Sequence, residues 1–448
     1  MKLTQIATVT GGQLIGSDQE IERFIIDGRI VDANGSASST CYVAIRGERL
    51  NGHQFVTQAS QQGVAAALVS EPGNYPISVV VVDDTIQALA DLAKWHRAQF
   101  QAPVFALTGS CGKTTVKEMV RLILPTTAFV TPGNKNNHIG APLSVLSLNH
   151  THSHAVFELG ANHRGEIGML SDIVKPDLSL ITIIAPAHLE GFGTIEGVAD
   201  TKGEIFASLD PKDGMALVNL DDHRVVAQAK RHQGRTLTYS MKSQLADVSA
   251  KILHCDEHGE YLWQLNHQSK SVEIQMAVPG KHNVANGLAA AATAIAMGRS
   301  LIDIKAGLEQ FGGVQGRLAL KEGSQGSRLI DDTYNANLRS VKAAIDVLAQ
   351  SAGQKIFVLG ELGEVGEALN DHYEQIGLYA RQKKIDNFFT CGKASQKASD
   401  VFASGGSHFS EKQALIEAIR PILAQHVTVL VKGSRSAQME QVIKGLMG

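Results

Sequence analysis

This chain of 448 residues lacks the marks of several protein classes. Its four cysteines, Cys41, Cys111, Cys255 and Cys391, form no Cys-x-x-Cys pair and have no histidine at metal-ligand spacing, so neither a disulfide framework nor a zinc site is expected. Long apolar stretches are missing too. The longest, 178–187 and 287–297, fall short of the roughly 20 residues that a membrane-spanning helix needs. Met1-Lys2-Leu3-Thr4-Gln5 carries no apolar core of a signal peptide, so the cytoplasm is the expected location. Neither sign of charge dominates: Lys+Arg 41 against Asp+Glu 44 gives a formal charge of -3, which argues against a nucleic-acid or acidic-membrane coat. An anionic ligand must therefore be caught by a local site. No short-period repeat or low-complexity tract occurs, and a monomer is expected.

With 44% hydrophobic and 19% charged residues, the composition is that of a chain that folds throughout. Its length is about three times the commonest domain size, so two or three cores in series are expected. Glycine is plentiful at 43 residues and aromatics scarce at 5%, a balance suited to many strand-to-helix turns and an α/β fold. Apolar runs at 41–45, 65–69 and 79–82 suggest a small α/β module over 1–84. Ile86, Leu89, Leu92, Ala93 and Trp95 then share one helix face and open a central domain, 85–312. Its strand-like runs at 104–107, 155–157, 180–184 and 215–218 alternate with helices, as in a doubly wound parallel sheet. Gly312, Gly313 and Gly316 interrupt the pattern, and runs at 329–330, 356–359, 388–389 and 427–431 predict a Rossmann-like third domain, 313–448.

The most informative segment follows the run at 104–107. Gly109-Ser110-Cys111-Gly112-Lys113-Thr114-Thr115 leads into an amphipathic helix through Val116, Met119, Val120 and Ile123. Glycines let backbone N–H groups curl around a phosphate, and the helix N-terminus adds about half a positive charge. Lys113 would reach the terminal phosphates and Thr114 would offer its hydroxyl to Mg2+, which makes ATP the natural guest. Leu107 stands where the usual longer motif has its first glycine. The plain alternative is a glycine turn that happens to precede a lysine.

Three further positions stand at strand ends or on a helix. Glu158 ends the run at 155–157, at the carboxyl edge where α/β proteins bind ligands, and is a candidate Mg2+ ligand. His188 emerges after the run at 180–184; a histidine there is more often a satisfied surface residue. Lys202 reads as an ordinary solvated helix lysine, and nothing in its spacing selects it.

The loop G-S-C-G-K-T-T, together with T-P-G-N-K-N-N-H-I-G-A-P-L at 131–143 and D-D-T-Y-N-A-N at 331–337, resembles the Mur ligase family. These are ATP-dependent amide-forming enzymes of peptidoglycan precursor synthesis, and matching blocks run from about Asp27 to Ala437. Among its branches the likeness is greatest to the one that joins D-alanyl-D-alanine to UDP-N-acetylmuramoyl-tripeptide. The resemblance implies that Thr114, Glu158 and His188 hold two Mg2+ ions and that Lys202 carries a CO2-derived carbamate, with Lys113 completing the catalytic set. It assigns Asn283 and Asn286 to the nucleotide base, His282 to the substrate's neighbourhood, and Arg317 and Asp332 to γ-phosphate and ribose. Asn134, Asn136, Asn137, Tyr334 and Asn335 fall to the substrate. Arg29, in Asp27-Gly28-Arg29, with Ser36, Gly47 and His53, falls to a uridine-binding module, although Gly28 replaces the family's usual serine. Leu338 likewise replaces the proline that commonly follows Y-N-A-N.

Read without the family, Asn283 and Asn286 could be a polar helix cap, the asparagines of 134–137 could be turn formers, and Lys432 and Arg435 could be surface charges. Gly360-Glu361-Leu362-Gly363-Glu364-Val365-Gly366 lacks dinucleotide-loop spacing, and its acids would repel a pyrophosphate, so no nicotinamide site is expected. The rival readings are a sibling ligase that adds one amino acid, a folylpolyglutamate synthetase-like ligase, and an ATP-binding switch that forms no amide.

Overall fold

The computed structural model describes residues 1–29, 36–48, 50–257, 259–363, 365 and 368–447. Glu364 and Gly366, and the side chain of Ser36, lie outside the described residues. Contacts divide the chain into two compact units, Met1–Ala106 with Thr127–Ala161 and Gly165–Asp177, and Leu107–Thr126 with Asn162–Arg164 and Leu178–Gly448. Among the described residues the strands pair into three sheets.

In the first unit the five-stranded sheet runs Gln13–Ile15, Ser78–Val81, Ala66–Val69, Thr40–Val43, Arg23–Ile25, parallel except for its first strand. Its core gathers Tyr42, Ala44, Val56, Ala59, Ala67, Val69 and Val79. The helix Thr85–Arg97 starts where Asp84 accepts the backbone N–H groups of Ile86 and Gln87 at 2.7 and 3.1 Å, satisfying two of its orphan donors. Leu89 and Leu92 on its inner face are fully buried, each stabilising the unit by about 2 kcal/mol. At its far end Arg97 donates to the carbonyls of Val174 and Lys175, both at 2.7 Å, just where the helix Glu166–Val174 leaves its last carbonyls unpaired. The parallel pair Phe129–Val130 and Ala155–Glu158 also belongs to this unit.

In the second unit Leu178–Ile181, Met215–Asn219, Arg235–Ser240 and Val248–Cys255 are parallel neighbours, and Tyr261–His267 and Lys270–Met276 continue antiparallel. The purely parallel sheet expected from the sequence is thus extended by a meander. Its strands escape an apolar-run reading because only alternate residues are buried, as in Tyr261, Trp263 and Leu265. The third sheet runs Ala319–Glu322, Arg328–Asp332, Val427–Lys432, Gln354–Leu359, Asn387–Cys391, Gly406–Phe409, with only the first antiparallel. Along Gln354–Leu359, Phe357 and Leu359 enter one core while Ile356 and Val358 enter another. Burial of both faces is what a doubly wound sheet requires, and it explains the unbroken apolar run.

Candidate active site

The phosphate loop is built by backbone geometry. The fully buried strand Val104–Thr108 ends at Gly109, whose φ of 149° and closeness to Thr182 leave no room for a side chain: a Cβ would lie 1.9 Å from Thr182 Oγ1. Gly112, at φ 85°, precedes the helix Lys113–Ile123, and its Cβ would lie 2.5 Å from Asn286 Oδ1. Ser110 N–H donates to Ile183 O at 2.9 Å, Ser110 Oγ–H donates to Ala185 O at 2.8 Å, and Thr182 Oγ–H donates to Cys111 O at 2.6 Å. The loop is therefore tied to the neighbouring segment 182–185. Lys113 Nζ reaches back to Gly109 O at 2.7 Å; Thr114 and Thr115 follow in the first helical turn, where anions are favoured.

Lys202 overturns the plain reading of a solvated lysine. It lies on the helix Ile195–Ala207, capped by Thr194, and only 2% of it is exposed. Burial, reinforced by repulsion from Lys113, lowers its ammonium pKa to about 7. Buried Phe192 sets its ring 5.9 Å from Lys202 Nζ and edge-on to His188, 6.3 Å between ring centres. His188 itself sits in the left-handed region at φ 51°, immediately before the short helix Leu189–Phe192.

The other residues expected to face the nucleotide lie in the same unit. Asn283 is buried and donates to Pro279 O at 2.8 Å; Asn286 reaches Asn283 Oδ1 at 3.4 Å. Enclosure by neighbouring atoms, reinforced by Lys432, pushes His282 down to about 4 and keeps it neutral, although part of its edge is open to solvent. The Arg317 guanidinium stacks on Tyr334 at 4.2 Å. Asp332, buried at the end of Arg328–Asp332, is held by Lys432 at 2.6 Å, and burial pushes its carboxyl above the usual range despite that cation. Asn335 is exposed, with its side chain turned onto the next backbone N–H.

The first unit contains the other group. Glu158 is 2% exposed at the end of Ala155–Glu158, and Asn136 Nδ2 donates to its Oε1 at 2.9 Å. Asn137 accepts from Gly140 N–H at 2.8 Å at the start of the helix Gly140–Leu146. Asn134 is exposed. Arg29 forks onto Asp27 at 2.9 and 2.8 Å on the surface, which holds that carboxyl down at about 2. Among the described residues, no three His, Cys, Asp or Glu side chains cluster to hold a metal. Each taken within its own unit, the carboxylate of Glu158 and the hydroxyl of Thr114 are hard oxygen donors of the type Mg2+ takes, whereas the His188 ring offers nitrogen; Mg2+ draws much of its shell from phosphate and water.

Sequence reasoning missed Thr182, Phe192 and the burial of Lys432. Lys432 is not a surface charge: it is 2% exposed and ends the apolar strand Val427–Lys432, and that place at a carboxyl edge was the available signal. Arg435, by contrast, is exposed and pairs with Glu440 at 3.0 Å.

A strand, a glycine loop and a helix carrying a lysine, beside a second buried lysine, define a nucleotide-dependent enzyme site of the phosphate-loop class. Residues 107–294 match the Mur ligase middle domain and 316–435 the Mur ligase, glutamate ligase domain. The chain belongs to the Mur ligase family. It is 39% identical to the UDP-N-acetylmuramoyl-tripeptide–D-alanyl-D-alanine ligase of Escherichia coli (strain K12), over 99% of this chain and 98% of that one. A crystal structure of MurF from Acinetobacter baumannii superposes with a TM-score of 0.89 at 35% identity, covering 99% and 98% of the two chains. The fold is also that of the MurF ligase from Thermotoga maritima in complex with ADP, TM-score 0.82 at 24% identity, covering 95% and 96%.

Proposed function

We infer that this protein is an ATP-dependent ligase that adds D-alanyl-D-alanine to UDP-N-acetylmuramoyl-tripeptide, a step of peptidoglycan precursor synthesis that draws on cytoplasmic ATP. The observation that carries the reading is end-to-end similarity to ligases of that name, joined to a glycine loop whose shape only glycine permits. We keep the division 1–84, 85–312 and 313–448 as uridine-substrate, ATP and incoming-dipeptide domains.

The chemistry has two steps. The tripeptide carboxylate attacks the γ-phosphorus, the bond to the β-phosphate oxygen breaks, and ADP leaves an acyl phosphate. The dipeptide amine then attacks the acyl carbon, loses a proton, and expels orthophosphate as the amide forms. Lys113 and the backbone from Gly109 to Thr115 stabilise the charge on the transferring phosphoryl group. Asn283 and Asn286 serve the base, Asp332 the ribose and Arg317 the γ-phosphate. His282, neutral in its enclosure, lies beside the substrate and can accept a hydrogen bond there. Asn134, Asn136, Asn137, Tyr334 and Asn335 flank the peptide and Arg29 the uridine. Thr114, Glu158 and His188 are the proposed Mg2+ ligands. When bound, Mg2+ screens the carboxylate from the triphosphate, two unit anions about 4 Å apart otherwise repelling by about 4 kcal/mol at an effective dielectric near 20.

Lys202 is proposed as a carbamate. Burial holds its amine near half-deprotonated at neutral pH, so the free lone pair attacks CO2, one proton is released, and an N–COO− group replaces the cation. That exchange turns a side chain that repels Mg2+ into one that attracts it.

The test supplies ATP and UDP-N-acetylmuramoyl-tripeptide with D-alanyl-D-alanine, meso-diaminopimelate, lysine or glutamate in separate reactions and records phosphate release. Release with D-alanyl-D-alanine alone is expected, and Lys113→Ala should abolish it with the fold retained. Turnover with a single amino acid instead would favour a sibling ligase, and ATP binding without amine-dependent turnover would favour a switch.

A further inference from the structure

We propose that Lys432 is a positioning residue of this ligase: it pins Asp332 and the turn 333–337, and through Asn337 that turn holds the phosphate loop at Cys111.

Lys432 and Asp332 are register partners at the ends of adjacent parallel strands, so their side chains leave the sheet on the same face. Lys432 Nζ donates to Asp332 Oδ2 at 2.6 Å and to the Asn335 carbonyl at 2.9 Å. One ammonium thus joins a strand end to the middle of the turn that follows it. The rest of the turn is bonded on both sides of that point. Thr333 Oγ–H donates to Asp331 Oδ1 at 2.6 Å, and Tyr334 N–H donates to Gly316 O at 3.0 Å. Asn337 accepts from Ser340 N–H at 2.9 Å to start the helix Leu338–Gln350, and its Nδ2 lies 3.5 Å from Cys111 Sγ in the phosphate loop. Hydrogen bonds at either end, and the two residues of chain from Asn335 to Asn337 between them, connect Lys432 to the loop.

Stability alone gives a weak account of the cation. Apart from Thr428, the residues that precede it in the strand, Val427, Val429, Leu430 and Val431, are apolar and fully buried, and an apolar residue would continue that pattern. Desolvating two charges offsets most of their attraction, so buried pairs add little net stability and are better suited to fixing geometry. A misplacement of about 1 Å at a reacting group can cost about a hundredfold in rate, which makes such fixing consequential.

The functional half of the proposal rests on the ligase reading, so the test has two readouts on the full-length protein. The first is the rate of iodoacetamide alkylation at each cysteine, mapped by mass spectrometry. Lys432→Met should speed alkylation of Cys111 about tenfold and leave Cys41 and Cys391 unreactive; burial drives the Cys41 thiol to about 12 and raises that of Cys391. The second compares Asp332→Asn with the double variant Asp332→Asn/Lys432→Met. If Lys432 merely neutralises Asp332, the second change costs nothing once that charge is gone; as a positioning residue it should still lower kcat about tenfold. Equal kcat values, an unchanged Cys111 rate, or Cys41 and Cys391 accelerating along with Cys111 would each overturn the proposal. A wild-type protein that releases no phosphate with any amine would sink the ligase reading instead, while the alkylation rates still judge the role of Lys432.

Discussion

Lys202→Met should make the protein more stable at neutral pH while ending its turnover. The side chain is 2% exposed, and burial together with Lys113 brings its pKa from 10.5 to about 7. Between these values the unfolded chain holds a proton on Lys202 that the folded chain has released, so stability rises with pH across that window. At about 1.4 kcal/mol per pKa unit, the buried amine costs about 4 kcal/mol at pH 7 and about 2 kcal/mol at pH 9. Methionine keeps the apolar stem without the titrating group. The assay is urea unfolding of wild type and Lys202→Met at the two pH values in CO2-free buffer. Wild type should gain about 2 kcal/mol relative to the variant on going from pH 7 to pH 9. Bicarbonate at neutral pH should stabilise wild type alone, because a carbamate traps the deprotonated nitrogen. Identical pH dependence in the two proteins would refute the burial argument, and equal stabilisation by bicarbonate would refute the carbamate.

Three shorter predictions test other parts of the site and scaffold. Gly109→Ala should abolish ATP binding by calorimetry, because its Cβ would stand 1.9 Å from Thr182 Oγ1 at a φ of 149°; undiminished affinity would show that the loop shape is not what selects the nucleotide. Asn136→Ala removes the donor 2.9 Å from Glu158 and should raise the Mg2+ concentration for half-maximal turnover about tenfold, with an unmoved Mg2+ titration counting against Glu158 as a ligand. Asp84→Ala deletes a cap that accepts two backbone N–H groups and should cost about 1 kcal/mol in chemical denaturation without changing KM for ATP. A loss of ATP affinity there would mean that this helix does more than support the N-terminal unit.

The sequence by itself determined what depends on neighbours along the chain. The glycine loop between strand and helix was legible because strand, glycines, lysine and helix are contiguous, and the place of Glu158 at a strand end because it closes a short apolar run. The faces of Thr85–Arg97 and the two-sided burial of Gln354–Leu359 follow from residue spacing in the same way. Tertiary structure decided what depends on groups distant in sequence. Lys202 looks like any helix lysine until Phe192 and Lys113 surround it, and Lys432 looks like a surface charge until Asp332, 100 residues away, stands beside it. The antiparallel meander at 248–276 was hidden because half of each strand faces solvent and breaks the apolar run. Periodicity records which side of an element is buried, but the desolvation and pairing that turn a common side chain into a reactive or orienting one arise only when distant strands and helices close around it.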